Sequence, residues 1–341
     1  MKAIDIKGGS GPLESLFINS DTPTPVPAKG QALVRVKAFG INRMDILQRN
    51  GRYPVPLQAP ATLGVEFSGV VHSLGPRDEA HEDSGRHRFE VGDEVFGLAY
   101  GGAYAEYIAV STGMLLRKPR SMSWEVAAGI PETWITATQA LTLISEFSEG
   151  KSILWHAGAS GVSTAGIQLS RRLGASQIFA TAGSPEKTAY IQSSLGATAA
   201  FNYRTEDWVQ GVRDVTGGKG VDVVVDFVGA DYFQKNIDVV ARDGRIVLLA
   251  LLSGGKIEGG VDIAAVLYKR VRIEGSTLRS RDEEYQRRLR DALEEYIPDF
   301  EEGKLKVVID TVLPWDQIQE AHRIMEGNKN KGKIVCTIPW E

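Results

Sequence analysis

The stretch Ile153–Ser184, ILWHAGASGVSTAGIQLSRRLGASQIFATAGS, decides the fold. Its apolar start, Ile153–Trp155, predicts a short strand, and a turn containing Gly158 and Gly161 follows. Apolar residues then recur at helical spacing, at Val162, Ala165, Leu169 and Leu173. Gly174 stands where a left-handed C-terminal cap is expected. The stretch therefore predicts a strand, a glycine turn and a helix in direct succession.

The glycine turn is a candidate phosphate site. A turn that opens onto a helix N-terminus holds a pyrophosphate through backbone N–H groups and the helix dipole. The literal G-x-G-x-x-G pattern is absent, because Ser163 occupies the place of its last glycine. The alternative is a purely structural strand-to-helix turn. The repeated strand–helix units described below favour dinucleotide binding, with Ser163 affecting the fine placement of the pyrophosphate.

The end of the second strand, Ile178–Thr181, indicates which dinucleotide binds. An NAD site usually places an Asp or Glu there, and the chain has Ala182, Gly183 and Ser184 instead. Lys187 and Tyr203 follow, and with Ser184 they supply hydroxyl and cationic partners for a 2′-phosphate. Taken singly, Lys187 reads as a solvated helix lysine and Tyr203 as a half-buried strand aromatic. Taken together, they favour NADP over NAD.

Composition limits the classes of function. The 341 residues carry 39 basic and 43 acidic side chains, a net charge of −4, which does not favour nucleic acid or an anionic membrane. The single Cys336 excludes an intrachain disulfide framework and a cysteine-rich zinc lobe. Residues 1–6 read as an alternating strand rather than a signal peptide. We expect a cytoplasmic protein without a membrane span.

Residues 1–125 read as β-rich, which suggests a partly open barrel or sandwich. The predicted strands are Ala3–Ile6, Ala32–Ala38, Gly69–Ser73, Glu94–Leu98, Tyr104–Val110 and Leu115–Lys118. His81 and His87 lie in a charged stretch. They are either metal ligands or members of a solvated loop, and the loop is favoured because no cysteine or third ligand accompanies them.

Residues 126–278 alternate between strands and helices. The six predicted strands are Ile153–Trp155, Ile178–Thr181, Ala200–Tyr203, Val221–Val228, Arg245–Leu252 and Val271–Leu278. Such alternation predicts an α/β fold with a doubly wound parallel sheet in the Rossmann order. The remaining segment, 279–341, is predicted to contain a long charged helix followed by strand, helix and strand. We expect this segment to return to the first domain and close it.

Motifs along the whole chain resemble those of the medium-chain dehydrogenase/reductase superfamily, in particular the zeta-crystallin-like NADPH:quinone oxidoreductases and their tumour-suppressor-inducible subgroup. They are GINRMD (40–45), QRNGRY (48–53), IPETW (130–134), HAGASGV (156–162), TAGS (181–184), LRSRD (278–282), EAH (320–322) and NKNKGKIV (328–335). The resemblance implies a GroES-like domain at 1–125, completed by 279–341, and a Rossmann NADPH-binding domain at 126–278. It also implies a homodimer.

The resemblance also bears on metal chemistry. Zinc-dependent members of this superfamily carry Gly-His-Glu and a catalytic cysteine, whereas this chain has Gly64, Val65 and Glu66, and its Cys336 lies at the far end. We therefore expect no catalytic zinc. The reaction that the resemblance implies is hydride transfer from NADPH to a quinone, whose conjugated carbonyls accept the hydride without a metal.

Three residues are candidates for catalysis by resemblance. Asn42 matches the family residue near the nicotinamide, or it is a turn residue after Gly40. Tyr53 matches a substrate-facing loop position, or it is a partly exposed loop aromatic. Ser160 matches a subgroup serine near the active site, or it is the N-cap of the next helix.

The remaining cofactor contacts carry over from the same resemblance, partly because strand ends line the crevice in such sheets. The full set of predicted cofactor residues is Asn42, Thr133, Gly158, Ser160, Gly161, Val162, Gly183, Ser184, Lys187, Tyr203, Gly229, Leu249, Leu251, Thr277, Leu278 and Asn330.

Two alternative functions stay open at this point. The first is an NADPH-dependent enoyl or enone reductase, which needs a proton donor; Tyr53 is the candidate. The second is an NADPH-binding protein without turnover that acts structurally or on RNA. The acidic charge and the lack of a basic, aromatic-interleaved stripe argue against RNA.

Overall fold

The computed structural model describes residues 1–77 and 88–340. Two compact units make up the chain: Met1–Ile135 with Arg279–Glu341, and Thr136–Leu278. The first unit extends past residue 125 because the Trp134 ring packs edge-on against Phe300, with ring centres 4.6 Å apart. His81 and His87 lie outside the described residues.

The first unit begins with strands and short helices. Its N-terminal elements are β1 (Ala3–Ile6), β2 (Leu16–Asn19), β3 (Gln31–Ile41), α1 (Arg43–Arg49), β4 (Glu66–Leu74), β5 (Glu94–Leu98), β6 (Tyr107–Ser111), β7 (Leu115–Arg117), α2 (Trp124–Ala128) and α3 (Pro131–Thr138). Helix α1 and strand β2 were not predicted. The pattern of α1 was hidden because its buried positions include the polar Asp45, Gln48 and Arg49.

The second unit is the predicted alternation. After a π-helical segment, Gln139–Ile144, come β8 (Ser152–Trp155), α4 (Gly161–Arg172), β9 (Gln177–Ala182), α5 (Pro185–Ser193), β10 (Ala199–Asn202), α6 (Trp208–Val215), β11 (Val221–Asp226), α7 (Phe233–Val239), β12 (Val240–Leu248), α8 (Ala264–Lys269) and β13 (Arg272–Gly275). The last two strands end earlier than predicted. Leu249 and Leu251 therefore follow β12, and Thr277 and Leu278 follow β13, instead of lying within strands.

The six strands of the second unit pair in the order β10-β9-β8-β11-β12-β13, and every pair is parallel. This order confirms the predicted doubly wound Rossmann sheet. The core of this unit contains Leu154 of β8, Phe179 of β9 and Ile246 of β12, which are fully buried. Such burial is typical of a parallel sheet that is covered on both faces. The order reverses between β8 and β11, so the carboxyl ends of these strands are where such sheets bind ligands.

The chain ends with α9 (Glu283–Glu294), α10 (Ile297–Glu301), β14 (Ile309–Pro314), α11 (Ile318–Glu326) and β15 (Lys333–Thr337). The predicted single charged helix is two helices, because Pro298 cannot continue the first. Strand β15 pairs antiparallel with β3, so the C-terminal strands extend the sheet of the first unit to the order β14-β15-β3-β4-β5-β7, with β6 also paired to β3. The C-terminal strands therefore belong to the sheet of the first unit.

In the part of the chain that the structure describes, no helix is long and apolar enough to cross a membrane.

Candidate cofactor and substrate sites

The turn after β8 approaches the neighbouring strand closely. The Gly158 N–H donates to the Thr181 carbonyl over 2.8 Å, and Ala157 before it has a positive φ of 48°. A Cβ on Gly158 would lie 2.8 Å from the Ala180 Cβ. A side chain at residue 158 would therefore push the turn away from β9. This is the close approach for which dinucleotide turns use glycine.

Ser160 is the N-cap of α4. Its Oγ accepts from the Ser163 N–H over 3.2 Å and donates to the Ser163 Oγ over 3.1 Å. The cap interpretation thus describes its geometry. Gly161 and Val162 are the first residues of the helix, so their amides belong to the turn that has no intrahelical acceptors. The N-terminus of this 12-residue helix has the donors that a pyrophosphate needs.

Helix α4 meets strand β8 at Gly166, a contact that the glycine motif did not predict. A Cβ on Gly166 would lie 2.3 Å from the Trp155 ring. Ser163, which stands in the last glycine position of the motif, is fully buried and donates to the His156 carbonyl over 2.8 Å. The close packing expected at residue 163 therefore occurs at Gly166. The sequence feature that marks this contact is Gly166 itself, which lies about one helical turn after Ser163.

A network of hydrogen-bonded, buried side chains connects the ends of the strands next to the glycine turn. His156 Nδ1 contacts the Thr181 hydroxyl at 2.9 Å, and its Nε2 contacts Asn236 Oδ1 at 2.7 Å. Asn236 donates to Asp226 over 3.0 Å. Because Asn236 presents its oxygen, the imidazole carries its proton on Nε2. Burial lowers the pKa of His156 to about 4, so the ring is neutral.

The residues predicted to select NADP lie at the ends of β9 and β10. The Tyr203 hydroxyl lies 2.7 Å from the position of a Cβ on Gly183, so a side chain there would displace it. Ser184 caps α5 by accepting from the Lys187 N–H over 3.3 Å. Tyr203 is 44% exposed, and the Arg204 guanidinium lies 6.0 Å from its ring centre. The structure thus brings these predicted residues together and adds Arg204.

The other predicted residues of the second unit occupy its strand ends. Gly229 has a φ of 88°, which favours glycine, and its N–H donates to the Asp226 carboxylate. Leu249 donates its N–H to the Asp226 carbonyl. Leu251 is exposed and Leu278 is buried, so these leucines have different surroundings. The Thr277 carbonyl accepts from the Gln139 amide.

In the first unit, Asn42 is held by two buried ions. Its Nδ2 donates to Glu66 Oε1 over 2.9 Å, and its Oδ1 accepts from the Lys333 ammonium over 2.8 Å. Lys333 also donates to the Ile41 carbonyl over 2.9 Å and forms an ion pair with Glu66. The orientation of the Asn42 carboxamide is therefore fixed. An amide has two N–H donors, so one remains for a ligand.

Tyr53 lies beside a buried arginine. The Arg279 guanidinium is 5.3 Å from the Tyr53 ring centre. Arg279 donates to Gln48 Oε1 and to the Tyr100 carbonyl, each over 2.7 Å, and its second terminal nitrogen is buried without a hydrogen-bond partner among the described residues. Burial, with the nearby Glu132, raises the pKa of Tyr53. Its hydroxyl therefore stays protonated at neutral pH.

A second network of buried polar side chains contacts helix α1. Asp45 accepts from the Asn42 N–H over 2.8 Å and from the Tyr104 hydroxyl over 2.9 Å. Tyr104 contacts His322 Nε2 at 3.3 Å, and the Arg49 guanidinium donates to His322 Nδ1 over 3.2 Å. Burial raises the pKa of Asp45 to about 6. No local sequence pattern predicts this set of contacts, because its members are distant in sequence.

Two predicted cofactor residues use their polar groups locally. The Thr133 hydroxyl donates to the Gly129 carbonyl over 3.2 Å, and the Asn330 amide donates to the Gly332 carbonyl over 2.8 Å.

The donor set around Asn42 does not fit a zinc ion. Val65 is buried and has no ligand atom, and Cys336 is a buried residue of β15. The oxygens of Asn42 and Glu66 already bind the Lys333 ammonium, a cation in its own right. Among the described residues, no group of three or more His, Cys, Asp or Glu side chains could hold a metal ion.

The parallel sheet with its glycine turn has the form of a dinucleotide-binding domain, and the comparisons with known proteins place the chain among oxidoreductases. Residues 28–120 match the alcohol dehydrogenase GroES-like domain, and residues 161–295 match the family described as zinc-binding dehydrogenase. A human quinone oxidoreductase is 29% identical over 340 residues, covering 99% of this chain and 98% of that protein. Mouse prostaglandin reductase-3 is 30% identical, covering 96% of this chain and 86% of that protein.

Solved structures of other proteins match this chain along nearly its whole length. A mycobacterial protein crystallised with NADPH is 29% identical, covers 99% of this chain and 100% of its own, and has a TM-score of 0.85. The CurK enoyl reductase is also 29% identical, covers 99% of each chain and has a TM-score of 0.81. The chain belongs to the zeta-crystallin-like quinone oxidoreductase family of medium-chain dehydrogenases/reductases. It is an oxidoreductase whose family uses a nicotinamide cofactor.

Proposed function

We propose that this protein reduces quinones with NADPH and without a metal. The observation that carries the proposal is the buried Asn42 carboxamide, held between the Lys333 ammonium and the Glu66 carboxylate. This arrangement provides a fixed N–H donor, and its oxygens bind the Lys333 ammonium in place of a metal that would activate an alcohol. A quinone needs no such activation, because two conjugated carbonyls delocalise the added charge. The full-length similarity to quinone oxidoreductases supports the same reaction.

The chain's own residues bind the cofactor and orient the reactants. NADPH supplies the hydride when it is bound. The first turn of α4, with Gly158, holds the pyrophosphate. Asn42 and Thr133 contribute to binding at the nicotinamide, and Asn330 contributes from the C-terminal segment. Tyr53 contacts the quinone through its ring or its protonated hydroxyl. Ser160 acts mainly by capping α4, and this cap positions the amides of the helix N-terminus.

The preference for NADPH follows from the ends of β9 and β10. Ser184, Lys187 and Tyr203 offer donors to a 2′-phosphate, and no carboxylate occupies the Ala182–Ser184 turn to repel it. Arg204 adds a second cation beside Tyr203. The structure of a related mycobacterial protein with NADPH supports this choice.

The test is oxidation of NADPH, followed by its absorbance, with ortho-quinones, para-quinones and an enone as acceptors. We expect fast turnover with quinones and a higher kcat/KM for NADPH than for NADH. An Asn42→Ala variant should lose most of the quinone turnover, because the fixed donor is removed. Equal turnover of this variant and the wild type would contradict the proposal.

Enone or enoyl reduction is the second candidate. It is favoured by the similarity to the CurK enoyl reductase and to prostaglandin reductase-3. Such a reaction needs the same hydride and a proton at the α-carbon. Turnover with the enone alone, and none with either class of quinone, would replace the first proposal with this one.

We propose a homodimer in the cytoplasm as the working form. The edge strand β13 ends the parallel sheet, and α8 beside it exposes large apolar side chains, including Leu267 and Tyr268. An unpaired strand edge beside exposed apolar side chains is typical of an interface. The single, buried Cys336 suits a reducing compartment.

A further inference from the structure

The backbone of Asn42 is held separately from its side chain. Glu66 and Lys333 bind the carboxamide, whereas the backbone N–H donates to Asp45 Oδ2 over 2.8 Å. The same carboxylate oxygen accepts from the Tyr104 hydroxyl over 2.9 Å. The other oxygen, Oδ1, is buried without a hydrogen-bond partner among the described residues. Asp45 is therefore held through one oxygen only, and Tyr104 supplies the donor that comes from outside the turn of Asn42.

The hydrogen bonds beyond Tyr104 run in one direction. A guanidinium only donates, so Arg49 donates to His322 Nδ1 over 3.2 Å, and the ring proton lies on Nε2. Nε2 donates to the Tyr104 oxygen over 3.3 Å, and the Tyr104 proton is then directed at Asp45. Burial, together with the Arg49 charge, lowers the pKa of His322 to about 3, so the ring is neutral, as this direction requires. Glu326, on the same helix as His322, pairs with Arg49.

Packing around Tyr104 preserves this direction. Tyr104 and His322 are both fully buried, and their rings meet edge-on with centres 5.9 Å apart. The Phe39 ring centre lies 4.5 Å from that of Tyr104, and a Cβ on Gly64 would lie 2.4 Å from the Tyr104 ring. The Tyr104 ring has no room to swing aside. A change at His322 is therefore transmitted to Asp45 instead of being absorbed by rotation of the phenol.

We propose that His322 is a positioning residue for quinone reduction, which fixes the backbone of Asn42 and thereby the direction of its remaining amide N–H. It acts through Tyr104 and Asp45 and touches neither the cofactor nor the substrate. This role rests on the proposed quinone reductase function. His322 lies in α11 and Lys333 in β15, so the C-terminal segment holds Asn42 at both its backbone and its side chain.

The experiment compares two substitutions of His322. His322→Leu removes the Nε2–H donor, whereas the amide of His322→Gln can supply an N–H near the same place. Tyr104→Phe breaks the connection at the next residue and keeps the ring. We expect His322→Leu and Tyr104→Phe each to lower kcat with a quinone by about 10-fold, with the KM for NADPH changed less than about twofold. His322→Gln should keep at least about half of the wild-type kcat.

The matched control is His72→Leu, the same change at an exposed histidine of β4, which should leave kcat unchanged. The double variant His322→Leu/Tyr104→Phe tests whether the two residues act through one connection. If they do, the second substitution lowers kcat by less than about a further twofold. Losses that multiply, an unchanged kcat in His322→Leu, or a His322→Gln variant as slow as His322→Leu would overturn the proposal.

Hydrogen exchange followed by NMR needs no turnover. Exchange of the Asn42 N–H should be about fivefold faster or more in His322→Leu and Tyr104→Phe than in the wild type and His72→Leu. Amides of the parallel sheet, in the other unit, should exchange as in the wild type and so show that the variants are folded. Wild-type exchange of the Asn42 N–H in both variants would overturn the positioning, whatever the turnover.

A protein that reduces no quinone, but whose variants show the faster exchange at Asn42, would overturn the proposed function and with it the role of His322 in that reaction. The connection from His322 to the Asn42 backbone would still stand. Failure of the function and failure of the positioning are therefore distinguishable.

Discussion

Single residues determine how closely the glycine turn and its helix pack on the sheet. Gly166 has no room for a side chain, because a Cβ there would lie 2.3 Å from the Trp155 ring. Trp155 is fully buried, and its indole N–H donates to Ser170 over 3.1 Å, so the ring cannot move aside without losing that bond. Overfilling such a contact costs about 1–3 kcal/mol of the free energy of unfolding.

We therefore expect Gly166→Ala to lower the free energy of unfolding by about 1–3 kcal/mol in urea titrations. The control is Gly275→Ala at the end of β13, where the nearest atom to a new Cβ is the Leu248 carbonyl at 4.0 Å. This change should alter stability by less than about 0.5 kcal/mol. Equal effects of the two substitutions would mean that α4 is free to shift away from β8.

Glu132 makes stability depend on pH in a direction that can be checked. Its pKa is raised from near 4.5 to about 8 in the folded protein, so the folded state binds the proton more tightly than the unfolded state. The free energy of unfolding therefore falls as the pH rises through this window, by up to about 1.4 kcal/mol per pH unit. Glu132→Gln removes this dependence.

We expect Glu132→Gln to gain stability relative to the wild type between pH 6 and pH 8, with the difference levelling off above about 8. Urea titrations at several pH values measure this difference, and Glu125→Gln serves as the control. A difference that does not change with pH would show that the acid is ionised in the folded state.

At the scale of elements, the strand ends of the second unit set the cofactor preference. Lys187 lies in the first turn of α5, just after the Ser184 cap, and Tyr203 follows β10. A charge-assisted hydrogen bond to a 2′-phosphate contributes about 1.5–3 kcal/mol. We therefore expect Lys187→Ala to lower kcat/KM for NADPH by about 10- to 100-fold and to leave NADH turnover nearly unchanged.

Steady-state kinetics with both cofactors provide the measurement. Lys219→Ala, at an exposed lysine between α6 and β11, is the matched control and should change neither value. A parallel loss with NADPH and NADH would indicate damage to α5 rather than loss of a phosphate contact.

The strand–helix alternation predicted the Rossmann sheet because its central strands β8, β9 and β11 are largely apolar and its connections have a helical period. Periodicity failed at α1, where buried positions hold Asp45 and Arg49. The site was harder to predict, since Glu132, Arg279 and Lys333 are far apart in sequence and only the fold brings them together. Glu132 and Lys333 lie in motifs that carry the family resemblance, but no local pattern indicates that both contact Glu66.

At the scale of the whole molecule, the remaining question is how the open edge of the parallel sheet is covered. Strand β13 is at one end of the order, and the preceding helix α8 has no buried residue. Ile263, Leu267 and Tyr268 are 68%, 73% and 72% exposed. A second copy related by a two-fold axis would bury the same side chains on both subunits.

We expect light scattering on a sizing column to give twice the chain mass of 37.1 kDa for the wild type. Leu267→Glu should shift the protein to monomer, because two carboxylates would face each other across the axis without partners. Val26→Glu is the control, since Val26 is 86% exposed but lies in the first unit, away from β13 in sequence. It should leave the dimer intact. A wild-type monomer, or a dimer that survives Leu267→Glu, would place the interface elsewhere and leave the apolar face of α8 to another partner.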